Sequence, residues 1–290
     1  MLLRIVGIVF PLFIIVMAGF AYGARHRPEM VAANRMNMEV FLPALIFSAL
    51  ASKSFSFAGN LQLIAGTLVV AGGSGLLGWL GARLLGHDPK TMIAPVMFNN
   101  VGNMGVPLML LTFGNKALGA AIIMFLVMTL LQFIVTPWIM HGRSPLATLW
   151  REPFMVAALL GLGVSVSGIN VWPPLLAAAK IMGDISLGLM IFSLGVRLST
   201  ARLNAWGIGL AGAILTPLSG LAMAWLFCLG VDCAKPTQDA LYIFGALPPA
   251  VSNFIFAERY GQEPDKVASI VIIGNMLSIV FVPLALALRL

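Results

Sequence analysis

Charge is what this chain has least of. Only 9% of its 290 residues are Asp, Glu, Lys or Arg, against about 25% in an ordinary soluble domain. With 60% of the residues apolar, too little polar surface exists to clothe a water-soluble fold. Cysteine is nearly absent as well. Cys228 and Cys233 leave room for a single disulfide and exclude a disulfide framework or a structural zinc site. The three histidines, His26, His87 and His141, fall in connections between apolar stretches, where solvated surface is their expected place. No basic run exists, so the formal net charge of +7 makes no nucleic-acid surface. No nucleophile–base pair, metal-ligand cluster or phosphate loop is visible, so the chain is read as a non-enzyme without a cofactor. Gly207, Gly209 and Gly212 do spell a dinucleotide fingerprint. They lie inside an apolar stretch with no preceding strand, where small residues mark close helix packing.

What is there is apolar helix, and the composition makes an all-α polytopic membrane protein. A hydrocarbon core of about 30 Å takes about 20 residues of helix. Ten stretches qualify, near residues 3–22, 36–52, 61–85, 91–113, 117–140, 153–168, 176–196, 205–230, 239–260 and 266–288. Ten spans return both termini to one side. Six basic residues fall there: Arg4, Lys53, Lys116, Lys180, Lys235 and Arg289. Eleven fall opposite: Arg25, Arg27, Arg35, Arg83, Lys90, Arg143, Arg151, Arg197, Arg202, Arg259 and Lys266. Positive residues favour the cytoplasm, so both termini are expected on the periplasmic face of a bacterial inner membrane. The first stretch has only Arg4 ahead of a long apolar run and is read as a span, not a signal peptide. Gly19 and Gly23 give it a GxxxG face for span 2 or a second subunit.

The chain matches itself at an offset of 145 residues. Gly23, Pro28, Ala32, Ala33, Leu42, Ile46, Phe47 and Ser48 meet Gly168, Pro173, Ala177, Ala178, Leu187, Ile191, Phe192 and Ser193. Ser74-Gly75-Leu76 meets Ser219-Gly220-Leu221, and Pro137 meets Pro283 after one slip. Five spans per repeat is an odd number, so the second half enters the membrane in the opposite sense. Inverted repeats are the sequence mark of secondary transporters, with sites at midplane where broken helices face one another.

Both candidate breaks are legible. Span 4 carries Phe98-Asn-Asn-Val-Gly-Asn-Met-Gly-Val-Pro107-Leu108, whose glycines and proline break the helix and whose amides need polar partners at membrane depth. Its partner, span 9, carries Gly245-Ala-Leu-Pro248-Pro249-Ala-Val-Ser252-Asn253. A proline pair stops one half-helix and starts the next. In span 4 Pro107 is expected to play the same starting role. The half-helix N-termini favour an anion, and asparagine amides hold a carboxylate without a permanent charge. No Arg or Lys lies near the centre of any span, so binding is expected to be moderate and reversible. Asn99, Asn100, Asn103, Pro107, Pro248, Pro249, Ser252 and Asn253 are the candidate substrate site, and some of these amides also cap the broken helices. Glu39 and Asp184 lie about a turn inside their spans. They are candidates for proton coupling, or they pair with Arg35 and Lys180 four residues earlier on the same face.

The span 4 and span 9 motifs, with Ala257-Glu-Arg-Tyr260-Gly261, together resemble the auxin efflux carrier family, whose bacterial members are described as malonate-type or organic-acid permeases. The resemblance runs the length of the chain. It implies inverted repeats at 1–140 and 153–290, joined by a cytoplasmic connection at 141–152. It also implies a scaffold of spans 1, 2, 6 and 7 through which two copies form a homodimer, beside a transport domain of spans 3–5 and 8–10. Spans 4 and 9 would cross near Pro107 and Pro248 or Pro249, with Asn100, Asn103 and Asn253 against a carboxylate. Plant members have a long loop between the repeats; here it is short, so neither regulation through it nor auxin as cargo carries over. Sodium-coupled bile acid carriers share the architecture, but their sodium sites need carboxylates as well as amides, and no obvious carboxylate stands at this crossover. The expected function is secondary transport of a small organic anion by alternating access. A sodium symporter of that second type and a membrane ligand sensor are the alternatives.

Overall fold

The computed structural model describes residues 2–51, 60–141, 152–199 and 203–289. Every element in them is a helix. The first half holds α1 (Leu2–His26), α2 (Val31–Met36), α3 (Leu42–Leu50), α4 (Leu61–Leu84), α5 (Pro89–Met97), α6 (Val106–Phe113) and α7 (Leu118–His141). The second holds α8 (Pro153–Ser167), α9 (Pro173–Ser199), α10 (Trp206–Gly230), α11 (Lys235–Gly245), α12 (Ser252–Tyr260) and α13 (Pro264–Arg289). A π-helical turn over Asn37–Phe41 joins α2 to α3, and another over Val101–Gly105 leads into α6.

Among the described residues, six helical stretches are long and apolar enough to cross a membrane: Leu3–His26, Leu61–Leu84, Asn115–Met140, Pro173–Ser199, Trp206–Gly230 and Pro264–Arg289. The membrane character expected from composition stands. The remaining helices are short for a physical reason. At 1.5 Å per residue, the nine residues of α5 reach about 13 Å, less than half of a hydrocarbon core. Residues 142–151 of the expected connection, with Arg143 and Arg151, lie outside the described residues, as do Lys53 and Arg202.

Proline and glycine set the boundaries. Proline opens α5, α8, α9 and α13 at the first helical position, where no N–H donor is needed. Asp88 caps α5 by accepting the Lys90 N–H at 2.9 Å, as short polar side chains do at this position. Gly168 (φ 67°) and Gly261 (φ 65°) end α8 and α12 in the left-handed region. Hydroxyls inside the helices bond back to their own turn: Thr67 to Leu63 O at 2.8 Å and Thr216 to Gly212 O at 2.8 Å. Neither of these two hydroxyls is left unpaired.

Small residues bring two pairs of helices into backbone contact. α1 lies along α9, where a Cβ on Gly19 would run into the Phe192 carbonyl and one on Gly195 into that of Val16. The GxxxG face of α1 therefore packs on α9, the seventh apolar stretch, rather than on span 2 or another subunit. α10 meets α11 in the same way, Gly220 against Gly245. Of the three glycines of the false fingerprint, Gly209 and Gly212 seat Ser269, Ile270 and Ile273 of α13, whereas Gly207 faces open space. α3 packs between α8 and α9, while α4, α5, α10 and α13 form a second group with α11 on its edge.

The start of α11 is latched to the end of α13. Asp239, buried near the first turn, accepts from Arg289 Nε at 2.7 Å and from Lys235 Nζ at 3.1 Å, which compensates a carboxylate removed from water. Cys228 and Cys233 are free thiols.

Replacing Gly195 with Leu forces α1 off α9 and is expected to cost about 1–3 kcal/mol. Gly188→Ala on the same helix meets open space and should be neutral or slightly stabilising, within about 1 kcal/mol. Thermal unfolding of the purified protein in detergent separates the two.

Candidate functional site

The site is built where two helices fail. α5 ends at Met97, and Phe98 turns extended (φ −109°, ψ 100°). α11 ends at Gly245, and α12 starts only at Ser252. Each break exposes carbonyls that have lost their helical partners. The two breaks meet and answer one another. Asn99 lies antiparallel to Pro249, with Asn100 N–H donating to Pro248 O at 2.7 Å and Ala250 N–H donating to Phe98 O at 2.9 Å. Pro249 sits at the pairing position that requires no donor, so its missing N–H costs nothing.

Side-chain amides complete the exchange. Asn99 Nδ2 donates to Phe244 O at 2.5 Å, the last turn of α11. Asn253 Nδ2 donates to Phe98 O at 2.8 Å, just past α5. Each break caps the other. Two longer helices brace the pair. From α7, Gln132 Nε2 reaches Asn253 Oδ1 at 2.8 Å and its Oε1 accepts the Ser252 hydroxyl at 2.8 Å. From α13, Asn275 Nδ2 holds Pro249 O at 3.0 Å and Val271 O at 2.8 Å, while its Oδ1 accepts from Asn100 Nδ2 at 3.0 Å.

Beside the crossing lies a cavity of about 480 Å³, a volume typical of small-molecule sites. One wall is the first break and its π-turn, with Asn99, Asn100, Gly102 and Asn103; Ser252 comes from the second break. Asn34, Asn37, Ser193 and Arg197 line it as well, and Phe98, Phe125, Phe133 and Phe154 supply apolar body. Arg35, Arg197 and Arg259 all line it, and no Asp or Glu stands among the described residues that do. Arg35 is paired with Glu39 at 2.8 Å, and Arg259 lies over the Tyr260 ring at 5.8 Å.

Of the residues expected from sequence, Asn99, Asn100, Asn103 and Ser252 face the cavity together. Asn253 stands behind them, fully buried with both ends of its amide engaged. Pro248 and Pro249 form the crossing itself. Pro107 does not: the first break falls at Asn99, the second half-helix is already turning at Val101, and Pro107 opens the regular α6. Glu39 and Asp184 each carry the expected partner, Arg35 and Lys180, both at 2.8 Å with half-exposed carboxylates. Neither lines the cavity. Sequence reasoning missed Gln132 and Asn275, whose signal was a lone amide within an apolar stretch. It also set the arginines aside as span ends, although all three line the cavity, Arg35 and Arg259 from short helices and Arg197 from the long α9.

On one flank the two interrupted helices are tied together outside the apolar stretches. Thr91, in the first turn of α5, donates to Glu263 Oε2 at 2.6 Å, and Gln262 Nε2 reaches Asp88 Oδ2 at 2.9 Å and Thr91 Oγ1 at 3.0 Å. Lys266 pairs with Glu263, and with Thr91 it holds that carboxyl below the usual glutamate range.

Asn253→Ala removes one of the two donors to Phe98 O and leaves Gln132 Nε2 without its acceptor, so it should destabilise by about 1–3 kcal/mol in thermal unfolding. Asn103→Ala removes an amide that holds no protein partner among the described residues and should change stability by less than about 0.5 kcal/mol. The Glu263 carboxyl titrates below an unfolded glutamate's value of about 4.3. Its contribution is therefore complete above that value and lost as pH falls through the folded value. Glu263→Gln should shrink the fall in melting temperature between pH 6 and pH 3.

Comparison with known proteins finds relatives among membrane transporters. An uncharacterized transporter of Methanothermobacter thermautotrophicus is 25% identical over 298 residues, 95% of each chain. Auxin efflux carrier component 2 of Arabidopsis thaliana is 29% identical over 156 residues, 47% of this chain and 23% of that one. Component 6 of the same plant is 31% identical over 137 residues, 44% of this chain and 24% of that one. The chain thus spans about a quarter of the plant carriers' own length. The profile of the membrane transport protein family matches residues 5–145 and 139–286, which together cover nearly all of the sequence. The chain belongs to that family, the one that includes the auxin efflux carriers.

Proposed function

We propose that this membrane transporter moves a small organic anion by alternating access, holding it in the cavity at the crossing of the two interrupted helices. The observation that carries the reading is the lining: three arginines and a row of amides, with no carboxylate among the described residues. In a low-dielectric setting such a wall attracts an anion and repels a cation. The ten-span inverted topology from charge counting puts Arg35, Arg197 and Arg259 on the cytoplasmic side and both termini in the periplasm. The cavity then corresponds to a state loaded from the cytoplasm of a bacterial inner membrane. The group α1–α3, α8 and α9 suits the scaffold role, which two copies share as a homodimer, and the group around the crossing suits the moving role.

Sodium coupling fits the crossing poorly. A sodium ion needs oxygen ligands, which broken helices supply as freed carbonyls. Here the crossing offers carbonyls and amides, and no Asp or Glu lines the cavity among the described residues to balance a cation's charge. The anion reading needs no such carboxylate.

The test is uptake of labelled mono- and dicarboxylates into proteoliposomes, with and without a sodium gradient. Flux that ignores sodium is the expected result. Arg259→Gln should raise KM about tenfold, the loss of a charge-assisted hydrogen bond, and leave the melting temperature unchanged. Binding without flux would make the protein a sensor, and flux driven by sodium would establish the symporter instead.

A further inference from the structure

The two cysteines stand together, and the transport reading uses neither. Cys228 lies in the last turn of α10 and Cys233 in the short connection to α11, with their thiols within hydrogen-bonding reach of each other. The connection is held in that shape from three sides. The Val231 N–H donates to Phe227 O at 2.9 Å, Gln62 Nε2 of α4 donates to Asp232 O at 3.2 Å, and Gln238 Nε2 of α11 donates to Cys233 O at 2.9 Å. Backbone that is already fixed thus sets one thiol against the other. Cys233 is 4% exposed, whereas Cys228 is half-buried.

The pair lies on the face where α13 ends, because Gln238 also accepts from Arg289 at 3.0 Å. Under the topology proposed above that face is periplasmic, an oxidising compartment where disulfides persist. We propose that Cys228 and Cys233 are a redox pair that closes to an intramolecular disulfide, clamping the entry of α11 to the end of α10. Its siting rests on that topology; its pairing does not. The clamp acts on the helix whose far end, Gly245, leads into the crossing. The oxidant is an external disulfide, that of a thiol–disulfide oxidoreductase or of oxidised glutathione. The more accessible Cys228 thiolate attacks one of its sulfurs, breaking that bond and releasing one thiolate. The Cys233 thiol then gives its proton to solvent and attacks the Cys228 sulfur of the mixed disulfide, expelling the second thiolate. The protein is oxidised by the electron pair that reduces the external disulfide to its two thiols. Burial pushes the Cys233 thiol up, which suits a partner held protonated until the mixed disulfide forms.

Bacterial cells expressing the full chain, quenched in acid and labelled with a maleimide polymer under denaturing conditions, count the thiols. The expected result is no label before reduction and a double label after dithiothreitol, with a single label on Cys233→Ser throughout. Purified, reduced protein given oxidised glutathione should lose both thiols, keep no glutathione and melt about 3–6 °C higher. A lasting glutathione adduct on Cys228, a chain-to-chain bridge or an unchanged melting temperature would overturn the clamp. Topology is read separately, from Asp232→Cys in a Cys228→Ser, Cys233→Ser background, probed on intact spheroplasts with a membrane-impermeant maleimide. Label at that position with free thiols in the wild type refutes the disulfide. No label refutes the topology and the siting with it, and the glutathione arm then decides the pairing alone.

Discussion

A peptide group that leaves its helix in hydrocarbon must find another partner, and the rest of this structure follows from how that demand is met. One break alone would strand its carbonyls. Two breaks laid against each other solve the problem jointly: a two-bond bridge at Asn99 and Pro249, with Asn99 and Asn253 each reaching a carbonyl of the opposite helix. Gln132 and Asn275 then fix those amides from α7 and α13. The polar centre is thus a consequence of backbone bookkeeping before it is a binding site.

Much of this was legible in the residues. Gly-Pro and Pro-Pro chemistry located both breaks, and Ser252 and Asn253 start α12 as the proline pair implies. The exact crossing was not legible. Pro107 looked like the restart of the first helix because proline is loud in a sequence, whereas a π-turn over Val101–Gly105 has no residue signature. Gln132 and Asn275 were quiet for another reason: one amide in an apolar run reads as tolerated noise until its partner is known.

The arginines show a different limit. Charge counting treats a span as a rod with a wet end and a dry middle. α2, α3 and the half-helices are not full rods, so end residues such as Arg35 and Arg259 stand beside the cavity. Glycine packing had the opposite fate. The motif on α1 was plain, but only the fold names its partner, α9. Pattern gives the face; topology gives the neighbour.

The amides that shape the crossing share one chemical property: none of them gains or loses a proton anywhere near neutrality. A wall of carboxylates or imidazoles would change its sign and its shape as it turned from one compartment to another of different acidity. Asn99, Asn100, Gln132, Asn253 and Asn275 keep the same charge and the same hydrogen-bonding pattern across that range. Under the proposed alternating access, acid sensitivity would come from the cargo or from the charged rim of the cavity, not from the crossing.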